Sequence, residues 1–299
     1  MSIRGLFFRT LLHLLFRNRN AIPLDERRSG MERSTRIFKP APGVTFTPVS
    51  VQGLNAELVT PPNAEGDCAV LFLHGGAYTA GSLETHRALV SYIAAHSRVR
   101  ALHLNYRLAP EHPYPAAVED ALLAFQWLQT ALKVRAEKIV IVGDSAGGGL
   151  ALASALRLRN NLQALPAGIA CLSPWTDLTL SGTSIEALRS VDPFFKDTGY
   201  LRDSAARYAN GAATNNPEIS PLFSNPYGLP DILIHVGSHE ALLSDSENFA
   251  SKAVQAGVYV ELKVWPGAWH VWQLFHNFVP EAKASVIEIA AFIRMKVVR

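Results

Sequence analysis

The chain has 299 residues, of which 48% are hydrophobic and 18% are charged. This composition excludes intrinsic disorder, collagen-like repeats and low-complexity proteins, and the length fits one large domain or two ordinary ones. The net charge of +3 does not indicate binding of nucleic acid. No apolar run approaches the length of a membrane span, which argues against an integral membrane protein.

The first 39 residues hold nine Lys or Arg and three Asp or Glu, so the excess positive charge lies there. The segment MSIRGLFFRTLLHLLFRNRN is apolar and basic, but Arg9 and His13 interrupt the apolar core that a secretory signal requires. A helix on a membrane surface and a helix packed on its own domain both fit this pattern. We favour the packed helix, followed to about Pro42 by a polar, basic stretch of helix and linker.

From about residue 44 onward, short apolar runs alternate with longer helical segments. The predicted strands are Asn55–Thr60, Cys68–Leu73, Val99–Leu104, Lys138–Val142, Gly168–Ser173, Ile232–Gly237 and Tyr259–Val264. The predicted helices lie at about 84–97, 116–132, 147–160, 245–256 and 280–296. Most runs from Cys68 onward are continuously apolar, which is typical of strands buried on both faces of a parallel sheet. The pattern therefore predicts an α/β fold.

Residues 176–225 break this alternation, because they are rich in Ser, Asn, Pro and Gly. Long irregular segments in compact domains are usually lids or binding loops, so we expect an insertion that covers a site. The predicted organisation is an N-terminal helical segment at 1–44, an α/β domain formed by 45–175 and 226–299, and an insertion at 176–225.

The two cysteines, Cys68 and Cys171, each lie in an apolar run that reads as a buried strand. Buried cysteines commonly serve as small apolar residues with a reduced thiol. Reduced thiols are typical of a reducing compartment, so we expect a cytoplasmic protein.

The strongest chemical motif is Gly143-Asp144-Ser145-Ala146-Gly147, which follows a predicted strand and precedes a predicted helix. This is G-x-S-x-G in the context of a nucleophile elbow, which makes Ser145 the candidate nucleophile. The alternatives are a glycine-rich turn with an idle serine and a phosphate-binding loop. The segment lacks the G-K-[ST] of a Walker loop and the G-x-G-x-x-G of a dinucleotide loop.

An earlier predicted strand ends in His74-Gly75-Gly76-Ala77. In hydrolases with a nucleophile elbow, a loop at this place supplies backbone N–H groups to an oxyanion hole. We expect the donors to be the amides of Gly75, Gly76 and Ala146, and we expect His74 to order the loop by hydrogen bonding.

The general base should follow the last strand, where Trp269-His270 lies, so His270 is the candidate. The orienting acid should follow the preceding strand, which points to Glu240. Asp245 is the rival, but Ser244-x-x-Glu247 resembles a capping box that would place Asp245 in the first turn of a helix. The order Ser145, Glu240, His270 is that of α/β-hydrolases.

Four sequence blocks resemble the hormone-sensitive-lipase family of α/β-hydrolases, also called bacterial family IV esterases. The blocks are HGGAY at 74–78, YRLAPEHPYPAAVEDA at 106–121, GDSAGG at 143–148, and VGSHEALLSDS at 236–246 with the later Trp269-His270. The resemblance implies a mostly parallel, eight-stranded sheet flanked by helices, with a helical cap from the N-terminus and the insertion. It also implies that Arg107, Glu111 and Asp120 pin loops beneath the site.

The chain departs from the family pattern at two places. Ala77 stands where the family commonly has a third glycine, and Glu240 stands in E-A-L where D-P-L is commonest. The resemblance implies that Ala77 narrows the leaving-group side, and that Glu240 serves as the acid with a side chain one methylene longer.

The expected activity is a serine carboxylesterase that hydrolyses short-acyl esters through an acyl-enzyme, without a metal or organic cofactor. The alternatives are an amidase or arylformamidase on the same residues, and a receptor that binds a small ligand without hydrolysis. Relatives often pair through the sheet edge, so the resemblance also implies a homodimer. We expect an apolar acyl pocket, or ordinary core packing, from five aromatic residues: Trp175, Phe194, Phe195, Tyr200 and Trp269.

Overall fold

The computed structural model describes residues 1–15 and 22–298. The eight strands are β1 Thr45–Val51, β2 Leu54–Thr60, β3 Glu65–Leu73, β4 Val99–Leu104, β5 Ile139–Asp144, β6 Gly168–Leu172, β7 Ile232–Gly237 and β8 Val260–Trp265. They form one sheet in the order β1-β2-β4-β3-β5-β6-β7-β8. The pairs β1–β2 and β2–β4 are antiparallel, whereas every pair from β4 to β8 is parallel. This confirms the predicted mostly parallel sheet.

Of the nine described α-helices, five flank the sheet, two lie in the N-terminal segment and two lie in the 176–225 segment. They are α1 Ile3–Leu15, α2 Leu24–Thr35, α3 Leu83–Ser97, α4 Ala116–Ala131, α5 Ala146–Asn160, α6 Thr183–Ala187, α7 Gly199–Ala209, α8 Leu243–Gln255 and α9 Pro280–Val297. Helices α4, α5 and α8 cover one face of the sheet, and α3 and α9 cover the other. Burial on both faces explains the continuous apolar runs of β3, β5, β6 and β7.

Strand β1 was not predicted, because its sequence TFTPVSV has little apolar character. The strand lies at the edge of the sheet, pairs only with β2, and is mostly exposed. Pro48 is tolerated there because an edge strand has one side without ladder partners.

The N-terminal helices lie against the rest of the chain. On α1, the side chain of Leu12 is buried in a cluster with Trp265, Trp272 and Phe275. On α2, the Arg28 guanidinium donates to the Thr79 carbonyl at 2.8 Å and to the Glu111 carboxylate at 2.7 Å. Part of the N-terminal segment that we expected to be helical, residues 16–20, lies outside the described residues.

Within the described residues, no helix combines the length and the apolar character that crossing a bilayer requires. Both cysteines are buried with free thiols, as predicted.

Candidate active site

The turn between β5 and α5 holds Ser145 in a left-handed backbone conformation, with φ 52° and ψ −121°. Strand and helix approach so closely there that a Cβ on Gly143 would lie 2.2 Å from the Gly147 carbonyl oxygen. A Cβ on Gly147 would lie 2.0 Å from the Leu73 carbonyl oxygen. The two glycines are therefore steric requirements of the turn that projects Ser145.

Three side chains from distant parts of the sequence meet above this turn. His270 Nε2 lies 2.9 Å from Ser145 Oγ, and His270 Nδ1 lies 3.3 Å from Glu240 Oε1. Ser145 and His270 are each 6% exposed, and Glu240 is fully buried. The structure thus brings together the three residues that the sequence analysis selected.

Glu240 is held by donors other than His270. Its Oε2 accepts the hydroxyl of Ser173 at 2.8 Å and the backbone N–H of Gly237 at 2.8 Å. The Ser173 hydroxyl oxygen in turn accepts the N–H of Val271, the residue after His270, at 3.2 Å. Ser173 thereby connects the acid and the base loops. The sequence analysis did not single it out, because it carries no motif and merely ends a strand.

The rival acid, Asp245, lies elsewhere. Its Oδ2 accepts the N–H groups of Thr176 and Asp177, each at 2.8 Å, at the start of the 176–225 segment. Burial, and then the neighbouring Asp177, raise the pKa of Asp245 well above its ordinary value. The predicted capping box at Ser244 is wrong, because α8 begins at Leu243 and its N-cap is Leu242.

The loop after β3 turns sharply toward Ser145, with φ of 123° at Gly76, 55° at Ala77 and 60° at Tyr78. The expected role of Gly75 as an oxyanion donor is wrong, since its N–H donates to Asp144 Oδ1 at 3.0 Å. Within residues 1–15 and 22–298, no acceptor takes the N–H of Gly76, Ala77 or Ala146. Those three amides are the available oxyanion donors. The sequence could not show that the loop leaves the N–H of Ala77 free, rather than the N–H of Gly75.

A buried polar chain supports this loop from behind. Asp144 Oδ2 lies 3.2 Å from His86 Nε2, and His86 Nδ1 lies 2.7 Å from Thr85 Oγ1. His74 bonds the Gly75 carbonyl through Nδ1 at 2.8 Å and stacks on Tyr106, as expected of a residue that orders the loop. Burial lowers the pKa of His74 to about 4, so this imidazole is neutral at pH 7.

The charged residues of the second sequence block, residues 106–121, form the structural contacts that the resemblance implied. The Arg107 guanidinium donates from Nη2 to the buried Asp120 carboxylate at 2.6 Å. The backbone N–H of Arg107 donates to the same carboxylate at 2.8 Å. Glu111 bonds Arg28 of α2, so it ties the N-terminal helices to this loop.

A buried carboxylate that the sequence analysis missed lies beside the base. Asp192 accepts the N–H groups of Phe194 at 2.8 Å and Phe195 at 3.3 Å, and also the N–H of Ala241 at 2.8 Å. Burial raises the pKa of Asp192 to about 6, against the opposing effect of His270. No local pattern marks it, because its partner Ala241 lies 49 positions further along the chain.

An apolar cavity of about 270 Å³ opens in front of Ser145 and His270. Its walls include Phe194, Phe195 and Tyr200, which the sequence analysis expected, and the Phe195 ring lies 4.7 Å from the His270 ring. Helices α1 and α2 also contribute residues to its lining: Phe8, Leu11, Leu12, Leu15, Arg27, Met31, Ser34 and Thr35.

Trp175 and Trp269 do not line the cavity, and for these two residues the alternative expectation of core packing is confirmed. Trp175 is buried in the core, where its Nε1 donates to the Asp177 carbonyl at 3.0 Å. Trp269 is buried against Phe275, with ring centroids 5.5 Å apart. Both side chains support the site from behind.

Known proteins resemble this chain over most of its length. Residues 70–274 match a family model described as alpha/beta hydrolase fold. An esterase of Acinetobacter venetianus is 36% identical over 88% of this chain and 86% of its own. An acetyl-hydrolase of Streptomyces hygroscopicus is 36% identical over 96% of this chain and 94% of its own.

A solved structure described as a hormone-sensitive lipase from a metagenome library is 40% identical, with a TM-score of 0.94 and 99% of both chains covered. The fold, the sequence relatives and this structure agree. The chain therefore belongs to the hormone-sensitive-lipase family of α/β-hydrolases and is a carboxylic ester hydrolase.

Proposed function

We propose that Ser145 is the nucleophile, His270 the general base and Glu240 the orienting acid of a serine esterase that forms an acyl-enzyme. The observation that carries this proposal is the chain of contacts from Ser145 Oγ to His270 Nε2 at 2.9 Å and from His270 Nδ1 to Glu240 at 3.3 Å. In the first step His270 accepts the hydroxyl proton of Ser145 as the oxygen attacks the ester carbonyl carbon. The protonated imidazole then passes that proton to the departing alcohol.

The proposed oxyanion donors are the N–H groups of Gly76, Ala77 and Ala146. Gly76 and Ala77 line the cavity beside Ser145, and no acceptor within the described residues takes any of the three N–H groups. Preorganised donors of this kind stabilise the tetrahedral intermediate because no reorganisation is needed when the charge forms. Water then hydrolyses the acyl-enzyme with His270 again as the base.

For the substrate, we propose esters with short acyl chains. The cavity of about 270 Å³ is slightly smaller than the usual ligand pocket, which is about 300–1,000 Å³. A relative named acetyl-hydrolase supports the same size class. The test is a series of p-nitrophenyl esters of increasing acyl length, run beside the matching anilides. We expect kcat/KM to peak at butyrate or hexanoate and the anilides to be cleaved far more slowly. A peak at dodecanoate or longer, or faster anilide cleavage, contradicts the proposal.

We also propose a domain organisation, a cellular location and an oligomeric state. Residues 1–44 and 176–225 act as a cap over a catalytic domain formed by 45–175 and 226–299, since both segments line or border the cavity. The free, buried thiols of Cys68 and Cys171 support a cytoplasmic location. A homodimer through the edge strand β8 is supported by the exposure of Tyr259 beside that edge, and sizing in solution tests it.

A further inference from the structure

Helix α1 has two different faces. Its inner face packs on the protein, with Leu12 buried and the Phe8 ring stacked on Phe278 at 5.4 Å. Its outer face is apolar and exposed, with exposed fractions of 89% for Ile3, 60% for Phe7 and 69% for Leu14. We define the outer face of α1 by five residues: Ile3, Leu6, Phe7, Leu14 and Leu15.

The polarity of this face is low along its whole length. Thr10 also lies on it, but its hydroxyl donates to the Leu6 carbonyl at 3.0 Å and is therefore satisfied within the helix. Single exposed apolar residues are common on soluble proteins, whereas a cluster of five on one short helix marks an interaction surface.

The outer face reaches the entrance of the cavity. Leu15 lines the cavity and is 67% exposed. Ile37, which follows α2, also lines the cavity and is 60% exposed. These two residues place exposed apolar surface at the mouth through which an ester enters.

The charged side chains of α1 itself have one sign, because Arg4 and Arg9 are basic and the helix holds no Asp or Glu. Residues 1–24 contain four arginines and no Asp or Glu, whereas residues 40–299 contain nineteen basic and twenty-two acidic residues. Arg4 is exposed on α1, and within residues 1–15 and 22–298 no hydrogen bond or ion pair engages its guanidinium. An apolar face bordered by the unpaired Arg4, on a segment without acidic residues, matches the chemistry of an anionic lipid surface.

We propose that the outer face of α1 binds the surface of an anionic phospholipid bilayer, with the helix parallel to that surface and the cavity mouth turned toward it. The helix of thirteen residues is about 20 Å long, which is too short to cross a hydrocarbon core of about 30 Å. This proposal goes beyond ester hydrolysis, and it is measured by binding rather than by turnover.

The experiment is co-sedimentation of the full chain with vesicles of phosphatidylcholine, with and without phosphatidylglycerol. The outer-face variant carries Ile3→Ser, Phe7→Ser and Leu14→Ser, none of which lines the cavity. The matched control carries Leu162→Ser, Val254→Ser and Ile287→Ser, which are exposed apolar residues elsewhere. A second variant, Arg4→Glu, reverses one charge without changing apolar area.

We expect wild type and the control to bind phosphatidylglycerol vesicles, and high salt to weaken this binding. The outer-face variant should bind about a hundredfold more weakly, and Arg4→Glu about tenfold more weakly. Hydrolysis of a water-soluble ester should be the same in all four proteins, which verifies folding.

Three results overturn the proposal. The first is that wild type does not bind vesicles. The second is that the outer-face variant binds as tightly as the control. The third is that wild type binds vesicles with and without phosphatidylglycerol equally well. A dimer that dissociates in the outer-face variant, without vesicle binding by wild type, would instead assign the face to a second copy of the chain.

Discussion

The Asp192 carboxylate accepts the backbone N–H of Ala241 at 2.8 Å, and Ala241 directly follows Glu240. The same carboxylate accepts the N–H groups of Phe194 and Phe195, and the Phe195 ring packs on His270. One side chain of the 176–225 segment therefore links a wall of the cavity to the loop that carries the proposed acid. Through Asp192, the segment therefore helps to position the groups proposed to react.

The first prediction concerns Asp192→Asn, which keeps the size of the side chain. Asparagine can retain one oxygen for Phe194 and Phe195, but its NH2 group then faces the N–H of Ala241. An unpaired buried donor costs about 1–3 kcal/mol, so we expect kcat to fall by about tenfold or more while KM changes little. Steady-state kinetics check this, and an unchanged kcat would mean that the Ala241 contact does not position Glu240.

The Asp192 carboxylate also makes the free energy of unfolding depend on pH. The pKa of Asp192 is raised from 3.8 to about 6 by burial. The folded state therefore binds this proton more tightly than the unfolded state. The associated stability is fully present below pH 4 and is lost as the pH rises through 6, to a total of about 3 kcal/mol.

Urea unfolding of wild type and Asp192→Asn between pH 4 and pH 7 measures this effect. The free energy of unfolding of wild type, minus that of the variant, should fall as the pH rises. A difference that is constant or that rises with pH would contradict the assignment.

The second prediction separates the two buried acids. Glu240→Gln removes the charge that stabilises the His270 imidazolium, so kcat should fall by about 10³–10⁴ with little change in melting temperature. Asp245→Ala removes the acceptor of the Thr176 and Asp177 N–H groups, so it should lower the melting temperature and leave kcat nearly unchanged. The opposite pattern would make Asp245 the orienting acid.

The third prediction concerns Ser173, which connects Glu240 with the loop of His270. Ser173→Ala removes a donor to Glu240 and leaves the N–H of Val271 without its acceptor. We expect kcat to fall by about tenfold, and we expect Ser173→Thr to retain more activity because it keeps the hydroxyl. Equal activity in both variants would show that the hydroxyl does not position the acid or the base.

The fourth prediction tests the support of the oxyanion loop. Asp144→Ala removes the acceptor of the Gly75 N–H and the partner of His86. The backbone N–H groups of Gly76 and Ala77 should then be placed less accurately for the oxyanion. We expect kcat to fall by a factor on the order of 10–10², with little change in KM. Asp144→Asn retains an oxygen for Gly75 and serves as the matched control, which should lose less.

The sequence predicted the sheet and the three central side chains because each depends on local pattern and chain order. Continuous apolar runs identify buried strands, and positions after particular strands select Glu240 and His270. The edge strand β1 was not predicted, because an exposed strand does not have a continuous apolar run. Gly75 was assigned wrongly because the direction of an amide depends on the backbone angles of its loop, which glycine leaves open.

The supporting residues could not be predicted for a related reason. Ser173 and Asp192 act through hydrogen bonds to residues 67 and 49 positions away, and neither sits in a motif. The same holds for the walls of the cavity, where Phe8 and Met31 join Phe194 although they lie far apart in the chain. Only the packed fold brings such residues together.

The most direct test of the central claim is labelling of the purified protein with an organophosphate, followed by peptide mapping by mass spectrometry. We expect a single adduct, on the peptide that contains Ser145, with ester hydrolysis lost in proportion to labelling. We also expect His270→Ala to slow labelling severely, because the hydroxyl then lacks its base. An adduct on another residue, or full hydrolysis by protein labelled at Ser145, would contradict the account.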